Sequence, residues 1–333
     1  MKRRRSRRWP RWRLCVLAAF LETLLASAGQ AQDDGPVEGA AELLRLVGAR
    51  AVGVGQAVVA RRDGSESVWW NPAALAALTR REVAIHHSQD FFATGDALVL
   101  VIPSQLIGTL ALTADIQDYG EQENTTGPDS PTGTLLSRSF VLSATYATTI
   151  GSHVRSGLGL KIFQLRFDCR GACDAPTSVA QTVAVDGGVQ VDLGRSRRLS
   201  LGASVRNLGV PLQVEDEEQA DPLPSRLQIG VAYRFPLPER YADDAELNFS
   251  ADVFDDLNFA TPLPRVGAEF VWQQRAFLRG GFVFEGSRSE AGGPSLGLGL
   301  VQGNVVIDIA RVFTGFSADA GQAPTFLSLR LQF

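Results

Sequence analysis

Residues 325–333 read TFLSLRLQF, and the alternation in that stretch decides the architecture. Leu327, Leu329, Leu331 and Phe333 fall on one side of an extended chain. Phe326, Ser328, Arg330 and Gln332 fall on the other, because successive strand side chains face opposite ways. The stretch therefore has one apolar and one largely polar face. It also ends inside the strand, on an aromatic residue. Such a terminal strand is what the outer-membrane insertion machinery is expected to read.

The same period of two recurs upstream. In 226–235, Leu227, Ile229, Val231, Tyr233 and Phe235 oppose Arg226, Gln228, Gly230, Ala232 and Arg234. In 246–253, Leu247, Phe249, Ala251 and Val253 oppose Glu246, Asn248, Ser250 and Asp252. Residues 182–192 set Val183, Val185, Val189 and Val191 against Asp186, Gln190 and Asp192. About fourteen strands are predicted, near 82–90, 94–102, 106–117, 136–148, 154–167, 178–192, 198–206, 225–235, 245–254, 264–272, 275–284, 294–301, 303–313 and 324–333.

A soluble sandwich would alternate in the same way, so the loops decide. Short links such as 103–105, 149–153, 194–197 and 273–274 alternate with longer polar ones such as 118–135, 168–177, 207–224 and 285–293. Links 91–93 and 236–244 break the rhythm. An even number of strands with short turns at one end and long loops at the other is the pattern of a transmembrane antiparallel β-barrel. Closure follows from the solvent, since lipid offers nothing to an unpaired strand edge. In that reading Asp308 and Arg330 line the lumen, because a charge facing lipid at mid-depth costs about 2–4 kcal/mol.

The first residues read as a secretory leader: basic MKRRRSRRWPRWR, apolar LCVLAAFLETLLASA, then small residues at Ala26-Ser27-Ala28. A signal peptide over 1–28 is expected, with Ala31 as the latest cleavage point. The apolar run is too short for a spanning helix. The leader carries eight of the 32 basic residues and one of the 36 acidic ones, so the mature chain is near −11. That charge excludes nucleic acid as a natural partner.

Chemistry-bearing motifs are sparse. Cys169 and Cys173 bracket a short loop, and in an exported chain they read as a local disulfide rather than a metal site. His86 and His87 are adjacent on one strand and so face opposite sides. No Gly-x-Ser-x-Gly elbow is present, and neither a catalytic constellation nor a cofactor or metal site is expected. Glu215-Asp216-Glu217-Glu218 reads as a solvated outer loop. Residues 47–60, VGARAVGVGQAVVA, approach a dinucleotide-loop fingerprint, but Val58 stands where a third small residue is needed.

Residues 29–80 do not alternate. A short helix is expected near 38–46, then a glycine-rich extended stretch, then a turn at Trp70-Asn71-Pro72 with Pro72 opening a helix through Leu78. GARAVGVGQAVVA at 48–60, followed by SVWWNPAALAAL at 67–78, resembles the N-terminal signature of PorV/PorQ-type outer-membrane proteins, relatives of the FadL fatty-acid transporter barrels. Gly48, Ala49, Arg50, Ala51, Gly53, Gly55, Ala57, Trp70, Asn71, Pro72 and Ala73 match in order. Val54 replaces the usual Met, and Arg61-Arg62 replaces small or acidic residues.

The resemblance implies a FadL-like, fourteen-stranded all-β barrel over 81–333 with residues 29–80 folded inside as a plug. It implies a bacterial outer-membrane protein that handles secreted proteins in a type IX secretion-like role. The alternatives are FadL-like transport of a hydrophobic small molecule such as a long-chain fatty acid, and a structural or porin-like barrel. The expected partners are outer-membrane lipid, the insertion machinery, and either secreted proteins or a hydrophobic small molecule.

Overall fold

The computed structural model describes residues 38–125, 131–171, 178–213, 220–257, 262–284, 292–314, 317 and 323–333. The proposed leader, Cys173 and the acidic run at 215–218 lie outside the described residues. Fourteen strands follow one another: β1 (Glu82–Gln89), β2 (Thr94–Ser104), β3 (Gly108–Thr125), β4 (Pro131–Ile150), β5 (Val154–Gly171), β6 (Ser178–Leu193), β7 (Leu199–Gly209), β8 (Arg226–Phe235), β9 (Ala245–Asp256), β10 (Leu263–Trp272), β11 (Ala276–Val283), β12 (Gly293–Gln302), β13 (Val305–Val312) and β14 (Thr325–Gln332). Each pairs antiparallel with its neighbours, and β1 pairs with β14 to close the barrel. The closing register runs from Glu82↔Gln332 to Gln89↔Thr325. Two further bonds between Arg81 and Phe333, each 3.0 Å, extend the seam to the last residue.

The predicted faces are the observed ones. On β14, Leu327, Leu329, Leu331 and Phe333 are exposed on the outer wall, and Phe326, Ser328 and Arg330 are buried inside. The outer band continues through Leu112, Leu142, Leu160, Ile229, Leu298 and Ile309. Exposed Tyr233, Phe235, Trp272 and Phe333 ring the end with short turns, and Phe282, Phe284 and Phe313 mark the end with long loops. Aromatic rings flanking an apolar band suit a bilayer with two interfaces. Asp308 and Arg330 face inward and pair at 2.7 Å. His86 is buried, 2.8 Å from Ser328, whereas His87 is exposed beside Asp96 at 2.8 Å.

Several expectations need correction. Residues 118–125 and 131–135 are strand rather than loop, so β3 and β4 run 18 and 20 residues; with β5 at 18 and β6 at 16, the latter as expected, they exceed the 8–12 of the other strands. Likewise β5 continues to Gly171 and β7 to Gly209, into segments read as loop. Beyond the height of a bilayer both faces meet water, so the period of two vanishes there while pairing persists. A register shift between Asp118 and Glu121 lets the β3–β4 ladder continue past Gly120, whose φ is 73°. Near the N-terminus, the helix expected over 38–46 is only a 3₁₀ turn, Ala41–Leu44. The stretch expected to be extended holds a short helix, Ala49–Gly53. The Asn71 turn is as expected: its side chain accepts from Ala73 N, and Pro72–Ala77 forms a 3₁₀ helix.

Leu298 lies mid-strand on the outer wall of β12. In phospholipid vesicles, Leu298→Arg is expected to lower unfolding stability by about 2–4 kcal/mol. Urea titration checks this; a wall facing water would give a change near zero.

Candidate functional site

Residues 38–80 pass through the barrel and contact its wall on every side. Arg45 pairs with Asp115 of β3 at 2.7 Å, and Ala49 N donates to Ser328 Oγ of β14 at 2.9 Å. Gly55 N donates to Ser295 Oγ of β12 at 3.1 Å, and Val59 N to Asp252 of β9 at 2.9 Å. Gln228 of β8 donates to Gln56 O at 3.0 Å, Gln190 of β6 to Arg61 O at 2.7 Å, and Arg206 of β7 to Trp69 O at 2.8 Å. Ser65 N donates to Glu82 of β1 at 3.0 Å. An irregular backbone has few partners within itself, so the wall's polar residues satisfy it.

The motif residues meet one another in this interior. Glu66 accepts from Ala51 N at 2.9 Å and Arg50 N at 3.4 Å, holding the first turn of Ala49–Gly53. Its carboxylate lies against Gly48, which takes φ 95°, so a side chain there would meet both strain and a clash. Gly55, at φ 63°, sits on the wall itself: a Cβ would lie 2.6 Å from Phe282 N and 2.7 Å from Val266 O. Trp70 Nε1 donates to Val47 O at 3.0 Å, and Asn71 Nδ2 donates to Val59 O at 2.7 Å. Ala49 and Ala57 are fully buried, and Pro72 packs against Gly157 of β5. Cys169 lies near the tip of β5, away from this cluster.

Four arginines and three carboxylates knit the segment to the wall. Glu269 receives Arg50 at 3.1 Å, Arg61 at 2.7 Å and Arg279 at 2.6 Å. Asp63 pairs with Arg61 at 3.0 Å and Arg50 at 3.3 Å. Asp308 pairs with Arg279 at 2.6 Å and Arg330 at 2.7 Å. Burial opposes the charge on Arg50, but Glu269 and Asp63 outweigh it and lift its pKa above the ordinary arginine value. Burial pushes the Glu66 carboxyl up to about 7, with Asp308 adding to the shift, against Arg330 and the Ala51 N–H. Of this network only Arg50 belonged to the expected site. Glu269, Arg279, Asp308 and Arg330 each occupy the polar face of an alternating strand, which was the available signal.

Two cavities flank the network and share no lining residue. At the loop end, about 480 Å³ is lined by Leu44, Leu46, Phe91, Phe92, Val312 and Phe326, with Glu42, Arg45, Asp90 and Tyr119 as its chief polar groups. A space of about 30 Å³ around Arg45, Trp69 and Asp115 adjoins it. At the turn end, about 190 Å³ has six arginines among its lining residues. No group of three or more His, Cys, Asp or Glu residues able to hold a metal occurs among the described residues.

No protein-family model and no curated protein matches the sequence. The fold does match solved structures. A CymD monoaromatic hydrocarbon channel superposes with TM-score 0.58 at 12% identity, covering 86% of this chain and 97% of the other. The Ralstonia pickettii toluene transporter TbuX gives 0.55 at 13% identity, covering 86% and 98%. A Pseudomonas aeruginosa FadL homologue gives 0.50 at 11% identity, covering 87% and 98%. The chain therefore has a FadL-like barrel fold. These likenesses do not single out the PorV/PorQ branch.

Removing one member of the network leaves a buried charge short of a partner. Glu269→Gln is expected to destabilise the barrel by about 3–5 kcal/mol, read by urea unfolding. Glu66 gives a pH dependence. Its folded pKa, about 7, exceeds the ordinary 4.5, so the folded state binds the extra proton between those values. The contribution is complete below pH 4.5 and lost as pH rises through 7, on the order of 3 kcal/mol. Comparing wild type with Glu66→Gln from pH 4 to 8 checks this; the variant should lack that slope.

Proposed function

We propose that the chain is an outer-membrane barrel, exported by a cleaved leader, that passes a neutral hydrophobic small molecule inward from its loop end, with residues 29–80 as the plug. The loop-end cavity carries this reading. Nine apolar residues line it, six of them large, and the one arginine among its described lining residues, Arg45, is already bonded to Asp115 and Ser88. Glu42 and Asp90 make the remaining charge acidic. Among the described residues a carboxylate ligand would therefore find no free cation there, whereas an uncharged aromatic or aliphatic molecule buries apolar surface at about 25 cal/mol per Å². The FadL-like fold, shared with channels described as carrying monoaromatic hydrocarbons and toluene, supports the same reading.

Handling of secreted proteins rests on the resemblance of the inner motif. Most of those motif residues are buried against the barrel, so the motif speaks to how the plug packs more than to an external partner.

Uptake of labelled toluene by cells lacking the gene tests the proposal. Uptake is expected to fall at least about fivefold and to return with the wild-type gene. Phe326→Glu, which sets a charge in the cavity, should not restore it although the protein reaches the membrane with heat-modifiable mobility. Unchanged uptake on deletion would sink the proposal. Altered surface proteins with unchanged uptake would favour the secretion reading.

A further inference from the structure

The turn-end cavity differs in kind from the loop-end one. Arg50, Arg61, Arg62, Arg197, Arg198 and Arg234 line it, against Asp63, Glu246 and Glu269. Two of the three carboxylates are already shared between arginines. Glu269 serves Arg50, Arg61 and Arg279, and Asp63 serves Arg50 and Arg61. Glu246 accepts from Gln274 at 2.7 Å. Arg62 reaches out of the cavity's lining to Asp192, which Arg155 grips with two bonds of 2.8 Å and Ser200 with a third. Arg197, Arg198 and Arg234 have no ion pair among the described residues.

Their placement is built. The turn at 194–198 sets Arg197 at φ 47°, in the left-handed region. Arg234 N donates to Arg198 O at 2.8 Å, fastening the two backbones side by side across β7 and β8. Two arginines are thus fixed by their backbones on the wall with exposed side chains, and a third, Arg62, belongs to the inner segment. Guanidinium groups present a planar fork that matches carboxylate and phosphate oxygens. A volume of about 190 Å³ admits a small organic anion.

We propose that this cavity binds an oxyanion-bearing small molecule, a carboxylate or a phosphate. The bound oxygens bridge Arg62 of the inner segment to Arg198 and Arg234 of the wall, so occupancy clamps the segment in place. The site is separate from the apolar passage and does not depend on it, since a neutral cargo leaves these arginines unused.

The test is calorimetric titration of the full-length barrel in detergent, with inorganic phosphate and with benzoate. Saturable binding at millimolar concentration or below is expected, weakening with added salt, together with a raised thermal midpoint. Arg198→Ala with Arg234→Ala should weaken binding at least about tenfold. Arg195→Ala, on the same turn but outside the cavity, should leave it unchanged. If the double alanine variant does not fold, lysine at both positions keeps the charge and should still bind measurably more weakly than wild type.

Absence of saturable binding in the wild type, or equal weakening by Arg195→Ala, overturns the proposal. Nanodiscs of phosphatidylglycerol and of phosphatidylcholine separate the sources. Phosphate binding blocked only in the former identifies a lipid headgroup as occupant, and equal binding in both identifies a free anion.

Discussion

The β1–β14 seam is the constraint on which the rest of the molecule depends. Once Glu82–Gln89 pairs with Thr325–Gln332, no strand edge is left and every side chain must point either out or in. The outer wall takes leucine, isoleucine and aromatic residues. The charges that remain, Glu269, Arg279, Asp308 and Arg330 among them, are forced into an interior where an unpaired one would be intolerable. Glu269 and Arg279 sit directly opposite each other in the β10–β11 register, so the wall supplies one pair by geometry alone. The inner segment completes it by bringing Arg50, Arg61 and Asp63.

That meeting requires close approach, and glycine supplies it from both sides. Gly53 and Gly55 of the inner segment lie against Gly297 and Gly281 of the wall, while Gly202 and Gly267 accommodate Val59 and Val54. With no side chain between them, the two backbones come near enough for Ser295, Asp252, Gln190 and Gln228 to bond the irregular chain. The motif at 48–57 is therefore one half of a contact whose other half is scattered over distant strands.

This explains what could be read in advance. The fourteen strands were legible because bilayer and lumen impose opposite demands on alternate residues, as Leu327 and Ser328 show. The extra length of β3 to β5 was not, since residues such as Glu121 and Glu123 stand where that contrast has ended. Arg50 was visible within the motif, but its partner Glu269 was not: 219 residues separate them, and only barrel closure brings them together. The loop-end cavity was hidden for the same reason. Leu44, Phe91 and Phe326 come from three distant segments, and each alone looks like ordinary apolar lining.

The same network indicates how the segment could leave without ruin. Deleting one carboxylate strands arginines in a buried site, yet withdrawing the whole segment does not. Arg50 and Arg61 depart with Asp63, which already bonds both. The wall keeps Glu269 with Arg279, and Asp308 with Arg279 and Arg330. Each half retains its own counter-ions, and water entering the vacated lumen can take over the backbone bonds now made by Ser295 and Asp252. For this network separation exchanges hydrogen bonds instead of exposing a lone buried charge, and only the latter carries the large penalty; the Arg45–Asp115 pair, which crosses the divide, has to break. A network divided along this line can hold the segment firmly at rest and still release it as a unit.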